Sequence, residues 1–254
     1  MTLVAAAICP HPPLLVPRVG AGEPVAAREP ALAAVRRLRA AGPDLVVVVG
    51  DDPEALAAGS LIYPPTAVGD FRGFGVDFRV PLGPGARGAP GGAALPLSLA
   101  VGAWLLAEAG VTAGRRGLGV SPKAEPAEAA ALGAGLVEAA AAAGERVALL
   151  VMGDGSARRT PKAPGSLDDR AGPYDAVVER ALATVDLDTL LSLEPGLAAD
   201  LLVAGRASWQ VLAGALRAAG TGGWASDVLY ADAPYGVGYF VCLWEPEVPG
   251  DGVR

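Results

Sequence analysis

One histidine, His11, and two cysteines, Cys9 and Cys242, occur in 254 residues. Each cysteine lies inside an apolar run, and no Cys or His spacing matches a zinc site. A bridge between the two thiols stays open on sequence. Two buried thiols in a reducing compartment is the simpler account. Lysine, asparagine and aromatic residues are scarce, and the net charge is −7. That balance disfavours electrostatic capture of nucleic acid, which needs clustered Lys and Arg. The small basic group Arg158, Arg159 and Lys162 reads as a solvated loop feature. No apolar run reaches the roughly 20 residues of a membrane span. The N-terminus lacks a basic leader segment and meets prolines at once, so no signal peptide is expected. The expectation is a cytoplasmic protein with neither nucleic acid nor membrane as partner.

What is abundant is Ala, Gly, Pro, Val and Leu, in a chain long enough for one large α/β domain. An apolar run, Leu3 to Ile8, reads as a buried strand. It enters Pro10-His11-Pro12-Pro13-Leu14-Leu15-Val16-Pro17, where prolines fix φ and stiffen the turn around the lone imidazole. Leu45 to Val49 is a β-branched run of the kind found in a central strand covered on both faces. It ends at Gly50-Asp51-Asp52-Pro53. Val147 to Met152 is a third strong strand and ends at Gly153-Asp154-Gly155-Ser156. Helices are expected at Glu29 to Ala41, Leu95 to Ala109, Glu125 to Ala143, Pro173 to Thr184, Asp188 to Leu193 and Ala198 to Ala219, the last broken near Gly205. Val111 to Val120 reads as an edge-like strand because of Arg115 and Arg116. Strands are also expected at Asp227 to Tyr230 and Gly236 to Trp244.

This alternation predicts a single α/β domain with a mixed or mostly parallel central sheet flanked by helices. The domain is expected over 1–246, with a Gly/Pro-rich insert at about 59–94 that is largely loop apart from a short strand at Asp77 to Leu82. A flexible tail is expected over 247–254. No linker or internal repeat divides the chain.

In an open α/β sheet the loops after the strands converge on one crevice. His11, Asp51, Asp52, Asp154 and Ser156 are therefore candidates for a shared site. His11 reads either as a half-buried turn residue or as a ligand. Asp51 and Asp52 read either as a turn pair before Pro53 or as oxygen ligands. With His11 and Asp154 they would suit a hard divalent cation. The Gly153 to Ser156 segment reads either as a sharp turn using glycine's access to positive φ or as a polar pocket wall. Tyr235 and Tyr239 either line the same mouth or pair with each other.

Apolar strand followed by Pro10-His11-Pro12-Pro13 resembles the opening of the class III extradiol ring-cleavage dioxygenases. That family includes the catalytic subunit of protocatechuate dioxygenase, the DOPA dioxygenases and the Memo-like proteins. Three further segments fit in the family's order. Val46 to Asp52 resembles the strand before its second metal histidine. Met152-Gly153-Asp154-Gly155-Ser156-Ala157-Arg158 resembles its Gly-Asp-x-Ser-His segment. Ala204-Gly205-Arg206-Ala207-Ser208-Trp209 resembles the start of the helix bearing its metal glutamate. The chain also resembles an actinobacterial branch of extradiol-dioxygenase-like proteins.

The resemblance implies the fold of the extradiol dioxygenase catalytic subunit and a ferrous site of two His and one carboxylate. The first ligand maps to His11. The second maps to Gly50-Asp51-Asp52, which holds no histidine. The glutamate maps to Gly205 or Arg206, and the acid–base histidine maps to Ala157. The expectation is thus a divergent member without iron-dependent ring cleavage, keeping a cleft for a small molecule or protein partner. Asp154, Ser156, Arg206 and Tyr235 would line that cleft, with Arg206 free to take an anion. One alternative is a metal-dependent oxidoreductase or hydrolase holding Fe, Mn, Mg or Zn through His11, Asp51 and Asp52. Another is a structural subunit of a complex. A homodimer is the default oligomer.

Overall fold

The structure, a computed structural model, describes residues 2–85, 92–220 and 223–247. The fold is α/β, built on one seven-stranded mixed sheet. Its four central strands are β1 (Leu3–Cys9), β2 (Leu45–Asp51), β6 (Gly114–Val120) and β7 (Val147–Met152). They run parallel in the spatial order β6, β2, β7, β1. Antiparallel strands close both sides. β3 (Ser60–Tyr63) pairs with β6, while β9 (Tyr239–Pro246) pairs with β1 and carries β8 (Trp224–Asp232) outside it. β4 (Val68–Asp70) and β5 (Arg79–Pro81) form a separate small hairpin.

The period-two alternation of the strands builds two apolar layers. From β1, Ala5, Ala7 and Cys9 face one layer, and Leu3, Ala6 and Ile8 face the other. Helices α1 (Arg28–Ala40) and α2 (Leu97–Glu108) cover the first layer. The second is covered by α3 (Pro126–Ala143), α4 (Ala171–Thr184) and the short α5 (Leu187–Leu191), together with α6 (Pro195–Asp200) and α7 (Arg206–Ala219). Cys9 and Cys242 are both free and buried, and they sit in opposite layers, so the open question of a bridge is answered by the sheet between them.

Helix α3 starts on a capping box between Glu125 and Glu128 with Pro126 in its first turn, and ends on Gly144 in the left-handed region. It packs against α7 at close range because both present glycine at the crossing. A Cβ on Gly133 would strike the Val211 carbonyl, and one on Gly214 would strike the Ala130 carbonyl.

Two expectations are corrected here. Besides the expected strand, which is β5, the described part of the 59–94 insert supplies two strands that were not expected, β3 and β4. Period-two patterns of three or four residues are too short to stand out among glycines and prolines. Strand β6 is not an edge, because β3 covers it. Its Arg115 is buried, with the guanidinium donating to the carbonyls of Leu82, Leu106 and Val111. The expected tail lies outside the described residues from 248 onward. Among the described residues, no helix is long and apolar enough to cross a membrane.

Candidate functional site

All four parallel strands deliver their C-terminal ends to one side of the sheet. β1 leads to His11, β2 ends on Asp51, β6 leads to Ser121-Pro122, and β7 leads to Gly153-Asp154. Backbone bonds carry the pairing into the loops. Gly153 N donates to Cys9 O at 2.9 Å, and Asp52 N donates to Val120 O at 2.8 Å. Asp154 exchanges backbone bonds with Ala204, which ties the α6–α7 loop to the same place. Glycines permit the approach. A Cβ on Gly50 would lie 2.5 Å from Ser98 Oγ, whose hydroxyl donates to Asp51 O at 2.7 Å. One on Gly153 would lie 2.6 Å from Gly205 Cα and 3.0 Å from Trp209 Nε1.

These ends floor a cleft of about 630 Å³. His11 and Asp51 lie on its lining, with Glu54 exposed at its edge. Leu95, Pro96, Leu97, Leu202 and Val203 supply apolar wall. His11 is 8% exposed. Its backbone N–H donates to Asp154 Oδ1 at 2.8 Å. The same oxygen stands 3.7 Å from His11 Nδ1, which is buried without a hydrogen-bond partner.

Burial pushes the Asp51 carboxyl up to about 6. Nearby His11 and Arg206 pull it down, and Asp154 adds to the rise. The Asp51 carboxylate has only a marginal bond from Ser208 Oγ, at 3.5 Å. Burial raises Asp154 as well, opposed by the charge and backbone N–H of His11.

Of the remaining candidates Asp52 borders the cleft with its carboxylate already engaged, and the others fall away from it. Asp52 is fully buried and accepts from Tyr63 Oη at 2.8 Å and from Glu54 N at 2.9 Å. Its carboxylate faces Gly119 of β6, where a Cβ would lie 2.7 Å from Asp52 Cβ, so it acts as the turn residue and not as a ligand beside His11. Ser156 is also fully buried. Its Oγ and N both donate to Asp175 at 2.8 Å, and Arg159 donates to the same carboxylate at 3.0 Å.

Arg206 is not free for an anion. Its guanidinium donates to Gln210 Oε1 at 2.6 Å and to the carbonyls of Pro122 and Ala124 at 2.8 Å. It clamps the loop after β6 onto α7. Tyr235 is 41% exposed and packs edge-on against Tyr239, with centroids 6.4 Å apart. Ala157 N donates to Leu201 O, and the residue sits in a backbone turn. The Gly153 and Gly155 positions do not use positive φ. They are glycine because Gly205 and Asp175 occupy the space where a Cβ would go.

Sequence reasoning missed Ser98, Ser208 and Asp175. Ser98 carries no motif, and Ser208, though inside the segment that resembles the glutamate helix, reads as an ordinary residue of a helical run. Asp175 sits at helical spacing in α4 and reads as a surface residue until Gly238 and Ser156 close over it.

The iron centre implied by the dioxygenase resemblance does not fit these residues. It needs two imidazoles, and His11 is the only one. At the glutamate position, a Cβ on Gly205 would run into the Trp209 ring. The neighbouring Arg206 brings a fixed cation toward Asp51. Among the described residues, no three His, Cys, Asp or Glu side chains stand where they could hold one metal ion. The alternative set of His11, Asp51 and Asp52 fails on Asp52, whose oxygens are turned to Tyr63 and Glu54. A second, apolar groove of about 450 Å³ runs between α3 and the sheet, lined in part by Ile62, Leu132 and Leu136, away from these strand ends.

No protein-family model matches the chain, and no curated protein matches it. Among solved structures it is similar to an uncharacterised protein of Escherichia coli K12, JW3007, at 14% identity and a TM-score of 0.52. The match covers 95% of this chain and 99% of that one. The likeness is one of fold.

Proposed function

We propose that the chain is a divergent class III extradiol-dioxygenase-like protein that has lost iron-dependent ring cleavage and binds a small molecule in the cleft at its strand ends. The observation that carries this reading is the floor itself. His11 and Asp51 line an apolar-walled space of about 630 Å³, and the Asp51 carboxylate has only a marginal partner, Ser208 Oγ at 3.5 Å. Buried polar groups are ordinarily paired, and a concave apolar site with a few convergent polar groups is the usual form of a ligand pocket. The ordered set of strand-end segments supports descent from the dioxygenase frame. The donor set does not support its iron chemistry. The two unbridged thiols suit a reducing, cytoplasmic setting.

The test has two parts. Purified protein is incubated with ferrous iron, desalted and analysed for metal, and oxygen uptake is followed with catechol and protocatechuate. The expected result is no stoichiometric iron and no uptake. Retained iron with ring-cleaved product would overturn the loss of catalysis. A small-fragment screen by NMR is expected to move the amides of Leu202, Val203 and Ala204. Fragments that bind only elsewhere would overturn the cleft.

A further inference from the structure

The apolar groove between α3 and the sheet is open at the sheet edge. Strand β3 is that edge, and its Ile62, on the groove lining, is 75% exposed. A second hollow of about 690 Å³ shares Ser60 and Leu132 with the groove and continues it to Leu56, which is 50% exposed. Large apolar side chains left this open along one continuous surface mark an interaction face. The β3 rim adds backbone polarity. Ser121 N donates to Gly59 O at 2.9 Å, and Val120 O accepts from Asp52 N on its other side, so Ser60 and Val120 face each other without bonding. The antiparallel alternation then turns the N–H and C=O of Ser60 and Ile62 outward, away from β6. Such an edge suits a polypeptide better than a small apolar molecule.

Charges of both signs border this surface at each end of α3. Lys123 and Glu128 line the hollow where α3 begins, and Arg116 and Glu145 line the groove where it ends. Among the described residues, none of the four is held in an ion pair within the chain. A two-fold axis either keeps these ends together or exchanges them, and in both cases each cation meets an anion of the other copy. A strongly basic or acidic partner would meet like charge at both ends. We propose that this groove is the face on which a second copy of the chain docks, each copy seating its Ile62 between α3 and β3 of the other. The far edge of the sheet is a poorer candidate. There β8 is irregular between Val228 and Tyr230, and its Asp227 is already paired with Arg37.

Sedimentation velocity of the full chain over a concentration series is expected to show a dimer by about 100 µM. Ile62→Asp puts a charge on the β3 rim, and Ala139→Arg puts one on the α3 wall of the groove. Both positions are exposed in the single chain. Both variants are therefore expected to keep the parent's circular dichroism spectrum and melting temperature while the dimer dissociation constant rises by about tenfold or more. Val228→Asp, at an exposed position on the far edge, is the control and is expected to dimerise like the parent. A parent that stays monomeric to about 100 µM would overturn the proposal and leave the groove to a different chain or an apolar small molecule. A folded I62D or A139R variant that dimerises as well as the parent would also overturn it, and so would a dimer broken by V228D.

Discussion

His11 N donates to Asp154 Oδ1 at 2.8 Å, and His11 Nδ1 stands 3.7 Å from that same oxygen. One carboxylate oxygen thus holds both the backbone and the ring of the lone histidine. It also joins the loops after β1 and β7, which are 143 residues apart in sequence. Removing it frees a buried N–H. D154A is expected to lower unfolding free energy by about 1–3 kcal/mol. D154N keeps an acceptor and should lose less than half of that. Urea denaturation of both variants checks the ratio. Equal losses would show that the hydrogen bond to His11 is not what stabilises the turn.

Asp51 gives a pH-dependent effect whose sign is fixed by the direction of its shift. Its carboxyl is raised from 3.8 to about 6, so the folded state binds the proton more tightly than the unfolded state. The resulting stabilisation is present below about pH 4 and is lost as pH rises through about 6. D51N removes the charge that becomes costly. It is expected to be more stable than the parent by about 1–3 kcal/mol at pH 7.5 and indistinguishable at pH 4. Melting curves at the two pH values measure the difference. A variant less stable than the parent at pH 7.5 would mean that Asp51 is held by favourable contacts. Retaining a carboxylate that costs stability is the compromise expected of a binding group.

Arg206 should matter more for folding than for ligand capture. Its loss strands the carbonyls of Pro122 and Ala124 together with Gln210 Oε1 in the interior. R206A is expected to cost about 2–5 kcal/mol, and R206K to recover only part, because an ammonium cannot span the same acceptors. Chemical denaturation of the pair provides the measurement. A near-neutral R206A would place the clamp between α7 and the loop after β6 elsewhere.

The α3–α7 crossing predicts intolerance of the smallest side chain. G214A and G133A each put a methyl group onto a carbonyl of the facing helix. In an exposed helix, Gly to Ala stabilises by up to about 1 kcal/mol. Here the substitution is expected to destabilise by about 1–3 kcal/mol or more, because rigid backbone must move. G135A, on the same helix as Gly133 with open space around it, serves as the control and should be neutral or stabilising. Thermal melts of the three rank them.

Much of the frame is legible in the amino-acid sequence. Val147 to Met152 agrees with β7 at both ends, Leu45 to Val49 lies inside β2, and the break near Gly205 is the gap between α6 and α7. Long apolar runs and helical spacing survive tertiary context because burial of those faces is what folds the chain. The short strands β3 and β4 are not legible, since three or four residues carry too little pattern. At the site, position at strand ends finds His11, Asp51 and Asp154. The same logic assigns Asp52 and Ser156 to the cleft, and the resemblance assigns Arg206. Asp52 borders it with its carboxylate taken by Tyr63 and Glu54 N, while Ser156 and Arg206 belong to the packed interior. Position along a strand places a Cα. It does not say which neighbour claims the side chain.

The sequence by itself determined the layering, the strand ends and the poverty of imidazole, which removes a two-histidine metal site whatever the fold. Only the tertiary structure decided the partners. It gave Asp52 to Tyr63, Ser156 to Asp175 and Arg206 to the carbonyls of Pro122 and Ala124. His11 and Asp51 were left on the lining of the cleft. The shortest of those pairings in sequence, Asp52 with Tyr63, spans 11 residues across the turn between β2 and β3, and the longest, Arg206 with Pro122, spans 84. A buried polar side chain is held by whichever complementary group the fold brings within about 3 Å, and that distance is set by the sheet and the helix crossings.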